Sequence, residues 1–238
     1  MSLQPGNKTV RFGLALLLSS FATAAVAETV RLRYVSPAAA LVTKLRLPPG
    51  TENYSVGNYS VQVQEPFTTF VAYCVDPFQL TSTHYQDYRK SELASFLSAS
   101  TLKLADVTSL FAHAYADTIG NATKAAGFQL ALWEVFNDNK NLTKGNVRKT
   151  SSTNATVVAE ASSLLASLAA SSWTAPAVDY ELTVFSNSQK QDFLSATAVL
   201  APANTPPVPE PSSAALTLAG LGLLGLAALR RRKPATPL

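Results

Sequence analysis

Two residues in this chain have chemistry out of keeping with their surroundings, Cys74 and Gln129. Cys74 is the only cysteine among 238 residues, so no internal disulfide is open to it. Such a thiol is buried, paired with another chain, or chemically active, its thiolate being the nucleophile. Gln129 sits within Gly127–Asp138 (GFQLALWEVFND). A 3.6-residue period there puts Ala122, Ala125, Ala126, Gln129, Leu132, Trp133 and Phe136 on one stripe. Gln129 is its polar member. Burying that carboxamide without partners would cost about 1–3 kcal/mol, so it needs hydrogen bonds. Taken singly, each residue has an ordinary reading: a small packed thiol, and an amide bonded to nearby backbone. A cysteine–histidine nucleophile is the other chemistry to weigh. The chain has two histidines, His84 and His113. Cys74 with His113 and Asp76, Asp117 or Glu134 would imitate a hydrolase or transferase site, but no local sequence supports the grouping. One cysteine and two histidines lack zinc-ligand spacing, and no phosphate-binding glycine loop is present. No metal and no cofactor is expected.

The elements carrying these residues follow from periodicity. Thr29–Val35, Leu41–Leu47, Tyr59–Gln64 and Phe67–Val75 alternate as strands. Pro48-Pro49-Gly50, Asn53–Gly57 and Glu65-Pro66 read as turns between them. In Phe67–Val75 both faces are largely apolar, which predicts a central strand. Asp76-Pro77 ends it, leaving Cys74 at its C-terminal end beside a loop. Helical spacing then covers Ser91–Ala99, Ala105–Thr118, Ala122–Asn137 and Ala155–Ala170, the last capped by Thr153 or Asn154. Asp138–Ser152 is polar and reads as loop. Val178–Phe185 and Phe193–Leu200 return to strand. The expected fold class is α+β: an antiparallel sandwich or barrel-like scaffold, with a helical block inserted between N- and C-terminal strands.

Read together, the two stretches resemble a known family. Tyr73–Asp76 (YCVD) is similar to the Tyr-Cys-[Ile/Val]-[Asp/Glu] motif of Cys–Gln thioester domains. Gln129–Trp133 (QLALW) is similar to their Gln-x-Ala-[Ile/Leu]-Trp motif, and the order matches. The resemblance covers about Phe67–Phe136. Many members have Thr or Ala before the glutamine, where this chain has Phe128. The resemblance implies a bond between the Cys74 sulfur and the Gln129 side-chain carbonyl, with Tyr73, Asp76, Trp133 and Phe136 as its environment. Such a thioester is an activated acyl group. An amine or hydroxyl attacks it once and keeps the acyl group, so the protein is expected not to be a turnover enzyme.

Both ends of the chain read as export signals. Lys8 and Arg11, the apolar run Phe12–Val26 and Ala25-Val26-Ala27 make a secretory signal peptide over residues 1–27. The thioester-type domain is expected over 28–201 and a proline-rich linker over 202–211. Ser212–Leu229 is an apolar run long enough to span a bilayer, and a basic tail follows over 230–238. Pro209-Glu210-Pro211, the span and the Arg-rich end resemble the Pro-Glu-Pro class of C-terminal sorting signals. That class implies an exosortase-type transpeptidase as partner, a Gram-negative source, and a membrane anchor before processing. Six of the 19 Lys and Arg residues lie in these end segments, so the 15 acidic residues outnumber the rest. No basic patch remains for a nucleic acid. The expectation is an exported protein of the cell surface or extracellular matrix, used for covalent adhesion. The alternatives are a non-reactive structural protein of the envelope or biofilm matrix, and a Cys-dependent hydrolase or transferase.

Overall fold

The structure is a computed structural model that describes residues 28–199. The residues read as signal peptide, sorting motif, bilayer span and basic tail lie outside the described residues. Among the described residues no helix is long and apolar enough to cross a membrane.

Among the described residues seven strands form one sheet: β1 (Glu28–Leu47), β2 (Gly50–Val63), β3 (Thr68–Cys74), β4 (Gln86–Glu92), β5 (Arg148–Lys149), β6 (Tyr180–Ser186) and β7 (Phe193–Ala198). Their order is β2-β3-β7-β6-β4-β1-β5, and β2 also pairs with β1. The sheet therefore closes on itself as a six-stranded barrel, with β5 as a short outrigger on β1. Closure removes the open edges that would invite pairing with other chains. This is the antiparallel, barrel-like α+β scaffold expected from the sequence.

Strand register sorts the side chains into two layers. Leu32, Val61, Ala72, Cys74, Tyr88 and Phe193 share one face, all fully or almost fully buried inside the barrel. Leu45, Leu47, Val56, Tyr73, Val184 and Leu194 face the other way and are equally buried. Four helices lie between the early and late strands: α1 (Leu93–Phe96), α2 (Thr101–Ala114), α3 (Ala122–Asn137) and α4 (Ala155–Ala170). Helix α3 packs on β1 and β2 and is backed by α2 and α4. Its start is fixed by Asn121, whose side chain accepts from Lys124 N–H, and α4 starts likewise at Asn154.

Four local expectations change. Thr29–Val35 and Leu41–Leu47 are parts of one strand, because β1 runs through Ser36–Ala40 by way of two register irregularities. Asn53–Gly57 is strand, not turn. Gly57 (φ +146°) lets β2 pass β1 closely there, since a Cβ would strike Ala39 O and Ala40. The helix expected from Ser91 begins only at Leu93, because β4 claims the preceding residues through pairing with β1 and β6. The loop before α4 contains β5, so the helical block is interrupted.

The apolar stripe of α3 is also wider than its periodicity suggests. Every residue from Ala125 to Phe136 is buried, because α4 covers the face that α3 turns away from the sheet. Gly127 makes that second contact possible. A Cβ there would lie 2.5 Å from Glu160 Cβ and 3.2 Å from Ala161 N. Gly127→Ala should therefore push α4 off α3 and cost about 1–3 kcal/mol, read as a lower urea midpoint. An unchanged midpoint would contradict the close approach.

Candidate functional site

Cys74 is the last residue of β3, and both it and Gln129 are completely buried. The ladder between β2 and β3 reaches Asn58 opposite Tyr73 and goes no further. On the other edge, Val75 N–H donates to Asp192 O at 2.9 Å. Backbone groups alternate sides along a strand, so the N–H and C=O of Cys74 point toward the edge that β2 has left. The Gln129 carboxamide takes both. Cys74 N–H donates to Gln129 Oε1 at 2.9 Å, and Gln129 Nε2 donates to Cys74 O at 2.7 Å. The side chain from the middle of α3 thus stands in for a strand. It satisfies both amide atoms and both backbone groups at once.

The remaining residues singled out by the motifs fall around this junction. Tyr73 faces away from the barrel interior and meets Phe128 (ring centroids 4.7 Å apart), Phe111 and Tyr115. The position preceding each of these two residues thus pairs with its counterpart: Tyr73 with Phe128, as Cys74 with Gln129. Asp76 turns the chain, its Oδ1 accepting from Phe78 N–H at 2.8 Å, and Gln191 Nε2 donates to Asp76 O at 3.0 Å. Asn137, at the end of α3, donates to Val75 O at 2.7 Å. Trp133 and Phe136 are buried one and two turns beyond Gln129. Helix α3 is therefore tied to β3 on both sides of Cys74.

Electrostatics hold the sulfur as a thiol. Burial pushes the Cys74 thiol well above its ordinary range, the nearby Tyr59 hydroxyl lowers it, and the Asp76 carboxylate raises it again. Asp192, beside the β7 residue that faces Cys74, is itself pushed up to about 6. Burial is the main cause there; the Asn187 N–H lowers it and the Asp76 charge raises it. Tyr59 is a participant that periodicity did not single out. The register of the hairpin around Glu65-Pro66 could have found it, because pairing Val63 with Thr68 sets Tyr59 opposite Ala72, on the face of Cys74.

His113 is engaged elsewhere. Its Nδ1 is 2.8 Å from Ala175 O, and its ring stacks on Trp173 with centroids 4.9 Å apart. His84 lies exposed on the loop before β4. Among the described residues no group of three or more His, Cys, Asp or Glu side chains could hold a metal. A cavity of about 1080 Å³ opens at the other end of β3, lined by Thr68, Phe70, Lys90 and Phe185. Cys74 does not border it.

Comparisons with known proteins bear on the two parts of the chain separately. No curated protein matches the chain in sequence. Among solved structures, one similar to it is the N-terminal thioester domain of a surface protein from Clostridium perfringens, in a cysteine-to-alanine mutant. The identity is 14% and the TM-score 0.39, covering 59% of this chain and 89% of that one. At the other end, residues 207–233 match the PEP-CTERM protein-sorting motif. By that signal, which exosortase processes, the chain is an exported protein sorted to the cell surface.

Proposed function

We propose that Cys74 and Gln129 form an internal thioester, and that the exported protein uses it to attach covalently to an amine or hydroxyl on a surface ligand. The observation that carries this reading is the two-point pairing of the Gln129 carboxamide with Cys74's own backbone. It fixes the acyl carbon beside the residue that bears the nucleophile, and such fixed geometry can supply about 7–11 kcal/mol of a barrier. The N–H of Cys74 aims at Oε1, where negative charge grows as sulfur adds to Cδ. In the reaction the Sγ–Cδ bond forms and the Cδ–Nε2 bond breaks. The thiol proton leaves with Nε2 as ammonia. Complete burial then keeps water from the acyl group. In capture, the ligand's nitrogen or oxygen bonds to Cδ, and Sγ departs with the ligand's proton. Each molecule acts once and is not a turnover enzyme. Protein lysines and polysaccharide hydroxyls of the cell surface or extracellular matrix are the ligand class this chemistry serves.

A second reading has its own support. The same two hydrogen bonds give both polar atoms of the amide a partner, and burial favours the thiol over the thiolate. On that reading Gln129 is a lock between α3 and β3, and the protein is a non-reactive envelope or matrix component. Intact mass separates the two. The thioester reading expects a protein lighter by one ammonia, with full mass restored by either Cys74→Ala or Gln129→Ala. Methylamine should label Gln129 in the wild type alone. Full mass in the wild type, with Cys74 alkylated on unfolding, would leave only the lock.

A further inference from the structure

We infer that Tyr59 is a positioning residue for thioester formation, holding the Cys74 sulfur for attack on Gln129. This rests on the thioester reading above. Three observations place Tyr59 there. The β2–β3 register puts its side chain on the barrel's inner face, diagonal to Cys74 and within reach of a long ring. The position nearer Cys74 on that strand is Gly57, which has no side chain to stand between them. The Tyr59 hydroxyl donates to Ser55 O, which lays the ring along β2 past Gly57, toward the place beside Cys74.

The other groups around the sulfur cannot take this part. Tyr34 reaches in from β1 and Tyr88 from β4, while Asp76 and Asp192 lie on the loops that flank the end of β3. None is a cation, and Asp76 opposes negative charge on the sulfur. Tyr59 is the neighbour on the same inner face whose hydroxyl can donate to it. Its single hydroxyl proton goes to the Ser55 carbonyl, and Sγ is the alternative acceptor the inference assigns to it. While the thiol keeps its proton, the phenol bonds Ser55 and the S–H can point at the phenol oxygen. As the proton leaves toward the departing Nε2, the phenol turns its own hydrogen to the sulfur. No oxidant or co-reactant enters, and the products are the thioester and ammonia.

The test follows ammonia loss after refolding the exported chain from urea, by intact mass, across a range of pH. Tyr59→Phe keeps the ring and removes the hydroxyl. Ammonia loss should slow about 10- to 100-fold near neutral pH, the weight of one charge-assisted hydrogen bond. The pH profile should move up by about one unit or more, because a higher pH supplies the thiolate that the phenol no longer stabilises. A Tyr59→Phe protein with the wild-type rate and profile overturns the inference and leaves the thioester reading standing. A wild type that never loses ammonia defeats both. Should Tyr59→Phe fail to refold, 3,5-difluorotyrosine at position 59 keeps ring and hydroxyl with a more acidic phenol. It should speed the reaction at neutral pH, and an unchanged rate there again overturns the inference.

Discussion

Gln129→Ala should destabilise the domain by about 3–5 kcal/mol, while Cys74→Ala should cost about 1 kcal/mol, although neither variant can form the thioester. The asymmetry follows from which atoms carry the contact. The Gln129 amide bonds the backbone of Cys74, not its sulfur. Removing the amide strands a buried N–H and a buried C=O, each costing about 1–3 kcal/mol when left without a partner. The lost side-chain atoms add a cavity between α3 and β3. Removing the sulfur leaves both hydrogen bonds in place and takes away one buried apolar atom, worth about the burial of a methylene. Comparing the two variants with each other cancels the crosslink, because both lack it. The measurement is the difference in urea-unfolding free energy between them. Equal stabilities would mean that the carboxamide is not the surrogate strand described here, and would remove the geometric support for the thioester.

How much of this was legible in the sequence depends on whether a feature is local. β3 and its stop at Asp76-Pro77, the span of α3, and the return to strand at Val178–Phe185 all follow from periodicity and proline. The motifs YCVD and QLALW pointed to Cys74 and Gln129, and the fold puts them side by side. What the sequence hid was set by partners distant along the chain. β1 continues through Ser36–Ala40 because β2 holds it there; taken alone, Pro37 and three alanines argue for a break. Gln86–Glu92 (QDYRKSE) has one fully buried side chain, Tyr88, and its strand state comes from β1 and β6 on either side. The apolar stripe explained why Gln129 needs hydrogen bonds but not which groups supply them. That answer required knowing where β2 leaves β3. Tyr59 was hidden for the same reason, since its meeting with Cys74 exists only in the register of the hairpin.

Raising the pH from about 4.5 to 7 should weaken the fold by on the order of 3 kcal/mol through Glu134 alone. Glu134 follows Trp133 on α3 and is completely buried, with Oε2 accepting from Asn141 N–H at 2.8 Å and Oε1 without a partner. Burial pushes its carboxyl up to about 7; the Asn141 and Lys140 N–H groups lower it, and the Asp138 charge raises it. The folded pKa is above the unfolded one, so the folded state holds this proton more tightly. Stability from that difference is fully present below about pH 4.5 and is lost as pH rises through about 7, at about 1.4 kcal/mol per unit. Asp192, raised to about 6, adds a slope of the same sign that ends lower. The interval from about pH 6 to 8 is therefore carried mainly by Glu134, with an expected loss of about 1–1.5 kcal/mol in urea unfolding. Glu134→Gln keeps the shape and an acceptor for Asn141, and should flatten that interval while leaving the Asp192 slope. If the variant shows the wild-type decline across pH 6 to 8, another group carries the proton. A carboxyl whose proton burial holds up to about pH 7, five residues beyond Gln129, then links the packing of α3 to the surrounding pH. Acidification should tighten the helix that holds the amide, and alkaline conditions should loosen it.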